Sequence, residues 1–148
     1  VRDNPDAIVC MESEYPSRDD GLVLMEDATG IKLPVGQQRI LQTEIIYTET
    51  QQNNCDFGEV YTTDGRIPGL NLTLVEDPGV NILYNVSVTI REEKYSEAPE
   101  AFAAIVDSLL SPLTDERMAE LNGQQSVEGI DPVEVARGYL QEQGLISG

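Results

Sequence analysis

The sequence predicts an α/β domain in which strands alternate with helices and a helical segment follows. Two observations carry this prediction. Short apolar runs and alternating segments of strand length are separated by helical patterns in the first part of the chain, and after residue 91 apolar residues recur at helical spacing. The chain has 148 residues, of which 40% are hydrophobic, so it can build the core of one ordinary domain.

The first predicted elements are a strand and a helix. Residues Asp6–Met11 form a short apolar run that is typical of a buried strand. Ser17 is expected to cap a helix, because two aspartates follow it where the helix dipole favours negative charge. This helix is predicted to run to about Ala28 and to stop at Gly30.

The middle of the chain contains most of the predicted strands. Arg39–Gln42 is expected to be a strand, and the spacing of apolar residues over 44–52 fits a short helix. Further strands are predicted over 57–62, 70–75 and 82–90. The last of these shows the clearest alternation, with an apolar residue or tyrosine at every even position.

The final third of the chain predicts three helices, and the change in composition near residue 91 marks a candidate boundary. The first helix is expected to end at Ser111, which precedes a proline. Thr114 is the predicted cap of the second helix, and Asp131 followed by Pro132 is that of the third. Gly144 then provides a stop for the third helix.

Charge and composition exclude several classes of function. Nine basic and 27 acidic residues give a net charge of −18, which disfavours binding to nucleic acids and to anionic membrane surfaces. The chain has no histidine, no phosphate-binding glycine loop and no recognisable nucleophile, so only Glu14, Glu59 and Asp64 would be available to an enzyme. We therefore predict a protein that is not an enzyme and needs neither a metal nor a cofactor.

Two features of the chain leave alternatives open at this stage. Cys10 and Cys55 are too few for a zinc site, so they form either one disulfide or two small buried side chains. The first five residues contain neither a hydrophobic signal core nor an initiator Met, which predicts an end made by processing or by cloning.

The segment 54–67 is the most informative part of the chain, because an expected strand ends there at an aromatic residue and polar groups follow on a tight turn. Its residues FGEVYTTDGRI, the following LTLVEDPGVNILYNVSVTIR and the tail LNGQQSVEGIDPVEVARGYLQEQGLI resemble the second half of the extracytoplasmic binding proteins of osmoprotectant ABC importers. Together the similar segments extend from Ala7 to Ile146. This combination is far more specific than any single motif.

The resemblance implies part of a bilobed fold of the type II periplasmic-binding-protein class. It assigns residues 1–83 to the second lobe and residues 84–148 to a crossover strand and the C-terminal helices of the first lobe. It also implies capture of a quaternary ammonium solute such as glycine betaine, choline or carnitine, and delivery of that solute to the transmembrane permease of an ABC importer. The expected location is extracytoplasmic, either in the periplasm or at the cell surface, where a lipid anchor on the full-length precursor would hold it.

Five residues are candidates for ligand binding under this resemblance. Tyr61 and Tyr84 match positions of an aromatic cage, with Thr62 beside the first of them. Arg18 and Glu14 match a loop that serves ligand capture and lobe closure, and the planar guanidinium of Arg18 is expected to grip a ligand carboxylate. A cage suits a quaternary ammonium group, which offers charged methyl groups and no strong hydrogen-bond donor. From the residues alone, packing is the favoured role of the two tyrosines, and a local ion pair or a capping interaction is the favoured role of Glu14 and Arg18.

The resemblance bears on three further expectations. Export favours a disulfide between Cys10 and Cys55. The family's proteins are about twice as long as this chain, so the first lobe is expected to lack its N-terminal half and self-association through the uncovered apolar surface is predicted. The alternative function is a truncated interaction or signalling domain that keeps the fold and has lost ligand binding.

Overall fold

The structure is a computed structural model, which describes residues 4–77 and 79–147. Three short parallel strands and seven helices form within these ranges, and two single 3-10 turns precede α1 and β2. The strands are β1 (Val9–Met11), β2 (Gln38–Ile40) and β3 (Phe57–Gly58). The helices are α1 (Leu22–Thr29), α2 (Thr43–Gln51), α3 (Arg66–Gly69), α4 (Glu92–Tyr95), α5 (Pro99–Leu110), α6 (Asp115–Ser126) and α7 (Pro132–Glu142).

The sheet has the order β2-β1-β3, and both of its strand pairs are parallel. Parallel strands are usually covered by helices, and α2 packs against β1 and β3. The best-buried side chains belong to β1 and α2. They are Cys10, Met11, Ile46 and Tyr47, all of which are fully buried. A disulfide joins Cys10 in β1 to Cys55, which precedes β3, across a Cα–Cα distance of 5.8 Å.

Most of the predicted helix boundaries are confirmed. Helix α1 ends at Gly30, whose φ of 66° lies in the left-handed region that favours glycine. The Thr114 hydroxyl accepts a hydrogen bond from the Arg117 amide at 3.2 Å, and the Asp131 carboxylate accepts one from the Val133 amide at 2.8 Å. These two side chains cap α6 and α7 as expected. In the described part of the chain, no helix combines the length and the hydropathy that crossing a membrane requires.

The predicted start of α1 was wrong. Ser17 ends a 3-10 turn, and its hydroxyl donates to the Glu14 carbonyl at 3.1 Å instead of capping the helix. The helix begins five residues later, after Gly21. A Cβ atom at Gly21 would lie 2.5 Å from the Tyr15 carbonyl oxygen, so the tight return of the chain there requires glycine.

The predicted strands after β3 were also wrong. β3 covers only the first two residues of the expected strand 57–62, and no strand forms over 70–75 or 82–90 within the described residues. The alternating segment 82–90 lies exposed, with Leu83 81% exposed and Val86 57% exposed. A strand needs a hydrogen-bonding neighbour, and alternation in the sequence cannot supply one. Tyr84 therefore does not lie in a strand.

The helical segment is attached to the sheet layer through α3 and α6. Gly65, which precedes α3, lies against Gly123 of α6, so that the two backbones meet directly. The Asn122 amide donates to the Thr63 carbonyl at 2.8 Å, and the Thr62 hydroxyl donates to the Asp115 carboxylate at 2.9 Å. These contacts hold the residues that follow β3 against the first turns and the middle of α6.

Candidate functional site

The carboxyl ends of the three parallel strands meet at one edge of the sheet, which is where open α/β sheets commonly bind ligands. Glu12 follows β1, and its amide donates to the carboxylate of Glu59, which follows β3, at 3.2 Å. The hydroxyl of Thr43, at the start of α2, donates to the Glu12 carboxylate. Burial raises the pKa of Glu59, and the nearby charge of Glu12 adds to this effect. The edge is therefore acidic.

Three of the polar side chains beside this edge form a closed hydrogen-bonded cluster. The Arg18 guanidinium donates from Nε and Nη2 to the two carboxylate oxygens of Asp20, at 2.9 Å each. Arg18 Nη2 also donates to the Tyr84 hydroxyl at 2.9 Å, and that hydroxyl donates to Asp20. We call these three residues the Arg18 cluster. It brings Tyr84 from a distant segment onto the loop that precedes α1.

The Arg18 cluster corrects the expected ion pair between Glu14 and Arg18. The partner of Arg18 is Asp20, because its carboxylate faces the guanidinium in the two-bond geometry that planar groups favour. The hydrogen bonds from Arg18 and Tyr84 hold the pKa of Asp20 well below its usual range. The hydrogen bond to Asp20 raises the pKa of the Tyr84 hydroxyl, and partial removal of this hydroxyl from water adds to the shift.

Tyr15 lies next to both the acidic edge and the Arg18 cluster. Burial raises the pKa of its hydroxyl, and the carboxylate of Glu59 raises it further. The Tyr15 hydroxyl donates to the Met25 sulfur at 3.1 Å, which fixes the ring against α1. An aromatic ring therefore lies within the electrostatic reach of the edge carboxylates, which the sequence alone did not indicate.

The structure places Tyr61 and Thr62 on the α6 side of β3. The Tyr61 amide donates to the buried hydroxyl of Tyr47 at 3.3 Å, and Tyr61 is 48% exposed. Tyr61 and Asn122 help to line a small polar cleft of about 210 Å³. Within the described residues, no hydrogen bond or ring contact joins Tyr61 to Tyr84. The two tyrosines predicted to form the cage are therefore both exposed, and they do not contact each other.

Asp64 and Arg66 stabilise the turn that carries Tyr61. The Arg66 guanidinium donates to both carboxylate oxygens of Asp64, at 2.9 and 2.6 Å, and lies 4.2 Å from the centre of the Tyr47 ring. Burial raises the pKa of the Tyr47 hydroxyl to about 12. Asp64 also serves the backbone of the turn, since its carboxylate accepts the Arg66 amide at 2.9 Å.

A larger cleft, of about 620 Å³, lies along α5, and none of the residues of the sheet edge or of the Arg18 cluster lines it. Its lining is mostly apolar, and Tyr95 meets Phe102 there edge to face at 6.0 Å between ring centres. It offers an apolar surface but no converging polar groups, so we place the functional site at the sheet edge. Among residues 4–77 and 79–147, no group of histidine, cysteine, aspartate or glutamate is arranged to hold a metal ion.

Sequence reasoning missed four residues of the site, which are Glu12, Tyr15, Asp20 and Glu59. Asp20 was counted only as a favourable charge at a helix start, yet it is the partner of Arg18. Glu59 was considered only as an acid for an enzyme, yet it borders the acidic edge. The available signal for Glu59 was its position directly after β3, because carboxyl ends of parallel strands converge. No local signal pointed to the contact between Asp20 and Tyr84, which are 64 residues apart.

Comparison with known proteins agrees with this architecture. Residues 2–142 match the family described as the substrate binding domain of ABC-type glycine betaine transport systems. The chain is 30% identical over 140 residues to the glycine-betaine-binding protein of Pseudomonas aeruginosa, covering 94% of this chain and 45% of that protein. It is likewise 30% identical over 140 residues to the glycine betaine-binding protein YehZ of Escherichia coli, covering 89% of this chain and 45% of YehZ.

Two solved structures have the same fold. Apo YehZ from Escherichia coli superposes with a TM-score of 0.70 at 27% identity, covering 95% of this chain and 52% of that chain. A glycine betaine/carnitine/choline ABC transporter structure superposes with a TM-score of 0.75 at 20% identity, covering 97% and 52%. This chain thus spans about half the length of the curated relatives that it matches. It belongs to the family of substrate-binding domains of ABC-type glycine betaine transport systems, which are binding proteins and not enzymes.

Proposed function

We propose that this chain captures a quaternary ammonium solute at the carboxyl edge of its sheet. The observation that carries the proposal is the position of Tyr84 and Arg18, two residues expected to bind ligand, which meet beside the acidic edge in a chain of this family. The two relatives described above are named for glycine betaine, and one of the two solved structures is named for glycine betaine, carnitine and choline. The proposed role is binding, with no bond made or broken.

The chemistry of the edge suits a cation that cannot donate strong hydrogen bonds. Glu12 and Glu59 supply negative charge, and Tyr84 is 70% exposed, so its ring can meet an incoming solute. Each contact between a cation and an aromatic face contributes on the order of 0.5–2 kcal/mol, so several rings must converge for useful affinity. We propose that Tyr61 and Tyr84 belong to such a cage, with Thr62 positioning the loop that carries Tyr61.

The relatives' greater length bears on how the cage is completed. We propose that residues 1–83 belong to one lobe and residues 84–148 to the other, and that the remaining aromatic residues come from polypeptide outside this chain. Closure of the lobes around the solute would create the surface that docks on the permease of an ABC importer. We propose an extracytoplasmic location, which suits the disulfide between Cys10 and Cys55.

A second candidate function is an interaction domain that keeps the fold without binding a solute. The exposed apolar segment 82–90 and the cleft along α5 favour it, because apolar surface of this kind is typical of association sites. Self-association through this surface would be visible in the mass of the particle in solution. A constant monomer mass at rising concentration would contradict it.

The binding proposal is tested by calorimetric titration of the protein at its full natural length with glycine betaine, choline and carnitine. Replacement Tyr84→Leu should weaken the binding of the preferred solute by about tenfold, since one cation–π contact is lost. Tyr95→Leu is the matched control, because Tyr95 lies on α4 and packs on Phe102 away from the edge. Heat changes indistinguishable from buffer for all three solutes would refute the proposal.

A further inference from the structure

We propose that Asp20 determines which quaternary ammonium solutes the site accepts. By filling the fork of Arg18, Asp20 selects ammonium cations without a carboxylate, of the choline type, over zwitterionic solutes of the betaine type. This inference rests on the proposed function and specifies its substrate class. It also replaces the expectation that Arg18 grips the carboxylate of the ligand.

The geometry of Arg18 leaves no fork for a second carboxylate. A planar guanidinium recognises a carboxylate best through two parallel N–H bonds. Asp20 occupies the Nε–Nη2 edge with two bonds of 2.9 Å, and Nη2 spends its other proton on the Tyr84 hydroxyl. The other two-nitrogen edge, Nη1–Nη2, is closed by the Tyr84 hydroxyl, which also donates to Asp20 and is held in place by it. A solute carboxylate would therefore have to displace Asp20 from one edge, or break the hydrogen bonds of Tyr84 with Arg18 and Asp20 at the other.

Displacement of Asp20 is unfavourable for two reasons. Asp20 is only two residues from Arg18, so its effective concentration at the guanidinium is on the order of millimolar or higher whatever the concentration of solute. The surroundings also disfavour an added carboxylate, because Glu59, Asp20 and Asp77 act as negative charges on the nearby Tyr15 hydroxyl and Arg18 opposes them with a single positive charge. A cation without a carboxylate does not have to displace Asp20 and is not repelled by the nearby carboxylates. Their negative charge attracts it instead.

The test compares choline and glycine betaine, which differ in carrying a hydroxyl or a carboxylate. Unmodified protein at its full natural length should bind choline more tightly than glycine betaine, by about tenfold or more. This is the factor expected for one charge-assisted hydrogen bond. The isosteric replacement Asp20→Asn removes the carboxylate and frees Arg18, so this preference should fall by about tenfold or reverse. Asp19→Asn removes the same charge at an exposed neighbouring position outside the Arg18 cluster, and it should leave the preference unchanged.

Each result separates this inference from the proposed function. Binding of betaine as tight as that of choline to the unmodified protein would overturn the role of Asp20 while supporting a quaternary ammonium site, and this comparison needs no variant. An unchanged preference in Asp20→Asn, with an unaltered melting temperature, would also overturn it. If neither choline, glycine betaine nor carnitine gives a binding signal, the proposed function itself is refuted, and the inference about specificity is refuted with it.

Discussion

Replacement of Gly65 by alanine should loosen the attachment of the helical segment to the sheet layer. Gly65 has φ −67° and ψ −16°, which any residue adopts, so the change creates no backbone strain. The effect is purely steric. A Cβ atom at Gly65 would lie 2.2 Å from the Cα and N atoms of Gly123 and 2.9 Å from the Ala119 carbonyl oxygen. These are backbone atoms of α6, and they cannot rotate away as a flexible side chain would.

The size of the effect follows from these distances. Ordinary van der Waals contact begins near 3.4 Å, so α6 must retreat from Gly65 by roughly 1 Å. That movement would stretch the 2.8 Å hydrogen bond from Asn122 to the Thr63 carbonyl beyond bonding distance. Overpacking typically costs about 1–3 kcal/mol, and a lost hydrogen bond about 1 kcal/mol more. We expect Gly65→Ala to lower the free energy of unfolding by about 2–4 kcal/mol.

The opposite side of the same contact provides the control. A Cβ atom at Gly123 would lie 3.6 Å from the Gly65 Cα, which is ordinary contact. Alanine is also favoured over glycine inside a helix by about 0.5–1 kcal/mol. Gly123→Ala should therefore be neutral or stabilising. Urea unfolding followed by circular dichroism measures both variants, and equal stability changes for Gly65→Ala and Gly123→Ala would refute this account of the contact.

Three further predictions concern stability. Reduction of the Cys10–Cys55 disulfide, which spans 45 residues, should lower the free energy of unfolding by about 2–4 kcal/mol, and identical urea midpoints with and without reductant would contradict this. Thr114→Ala removes the cap of α6 and should cost about 1 kcal/mol, whereas Thr114→Ser should restore most of it. The Tyr47 hydroxyl has a pKa near 12 when folded and about 10 when unfolded, so its contribution to stability is complete below pH 10 and is lost as the pH rises toward 12. The urea midpoint of Tyr47→Phe should fall less steeply with rising pH than that of the unmodified protein. Equal falls in the two proteins would show that other groups cause the loss of stability at alkaline pH.

The helix boundaries show how far local chemistry can be read. Thr114, Asp131, Gly30 and Gly144 act within one or two turns of their own position, through caps or through a left-handed backbone. Such signals do not depend on the rest of the chain, so the sequence predicted them correctly. Ser17 failed because the chain around Gly21 and Tyr15 folds back too tightly for a helix to begin there.

The strands could not all be predicted from local sequence alone. The segment 82–90 alternates as a strand should, yet the described chain forms no ladder along it. β1 succeeds because β2 and β3 lie on either side of it, in a register that brings Val9 opposite both Gln38 and Phe57. Whether a segment with strand character becomes a strand is decided by a neighbour that is distant in the sequence.

By itself, the sequence determined the α/β class, the helical caps and the resemblance to osmoprotectant-binding proteins, since these follow from composition, short-range pattern and motif. The tertiary structure alone decided the site. It paired Arg18 with Asp20, brought Tyr84 to both, and placed Glu12 beside Glu59 at the edge of the sheet. The physical reason is that a guanidinium takes whichever carboxylate the fold brings into its plane, and spacing along the chain does not reveal that partner.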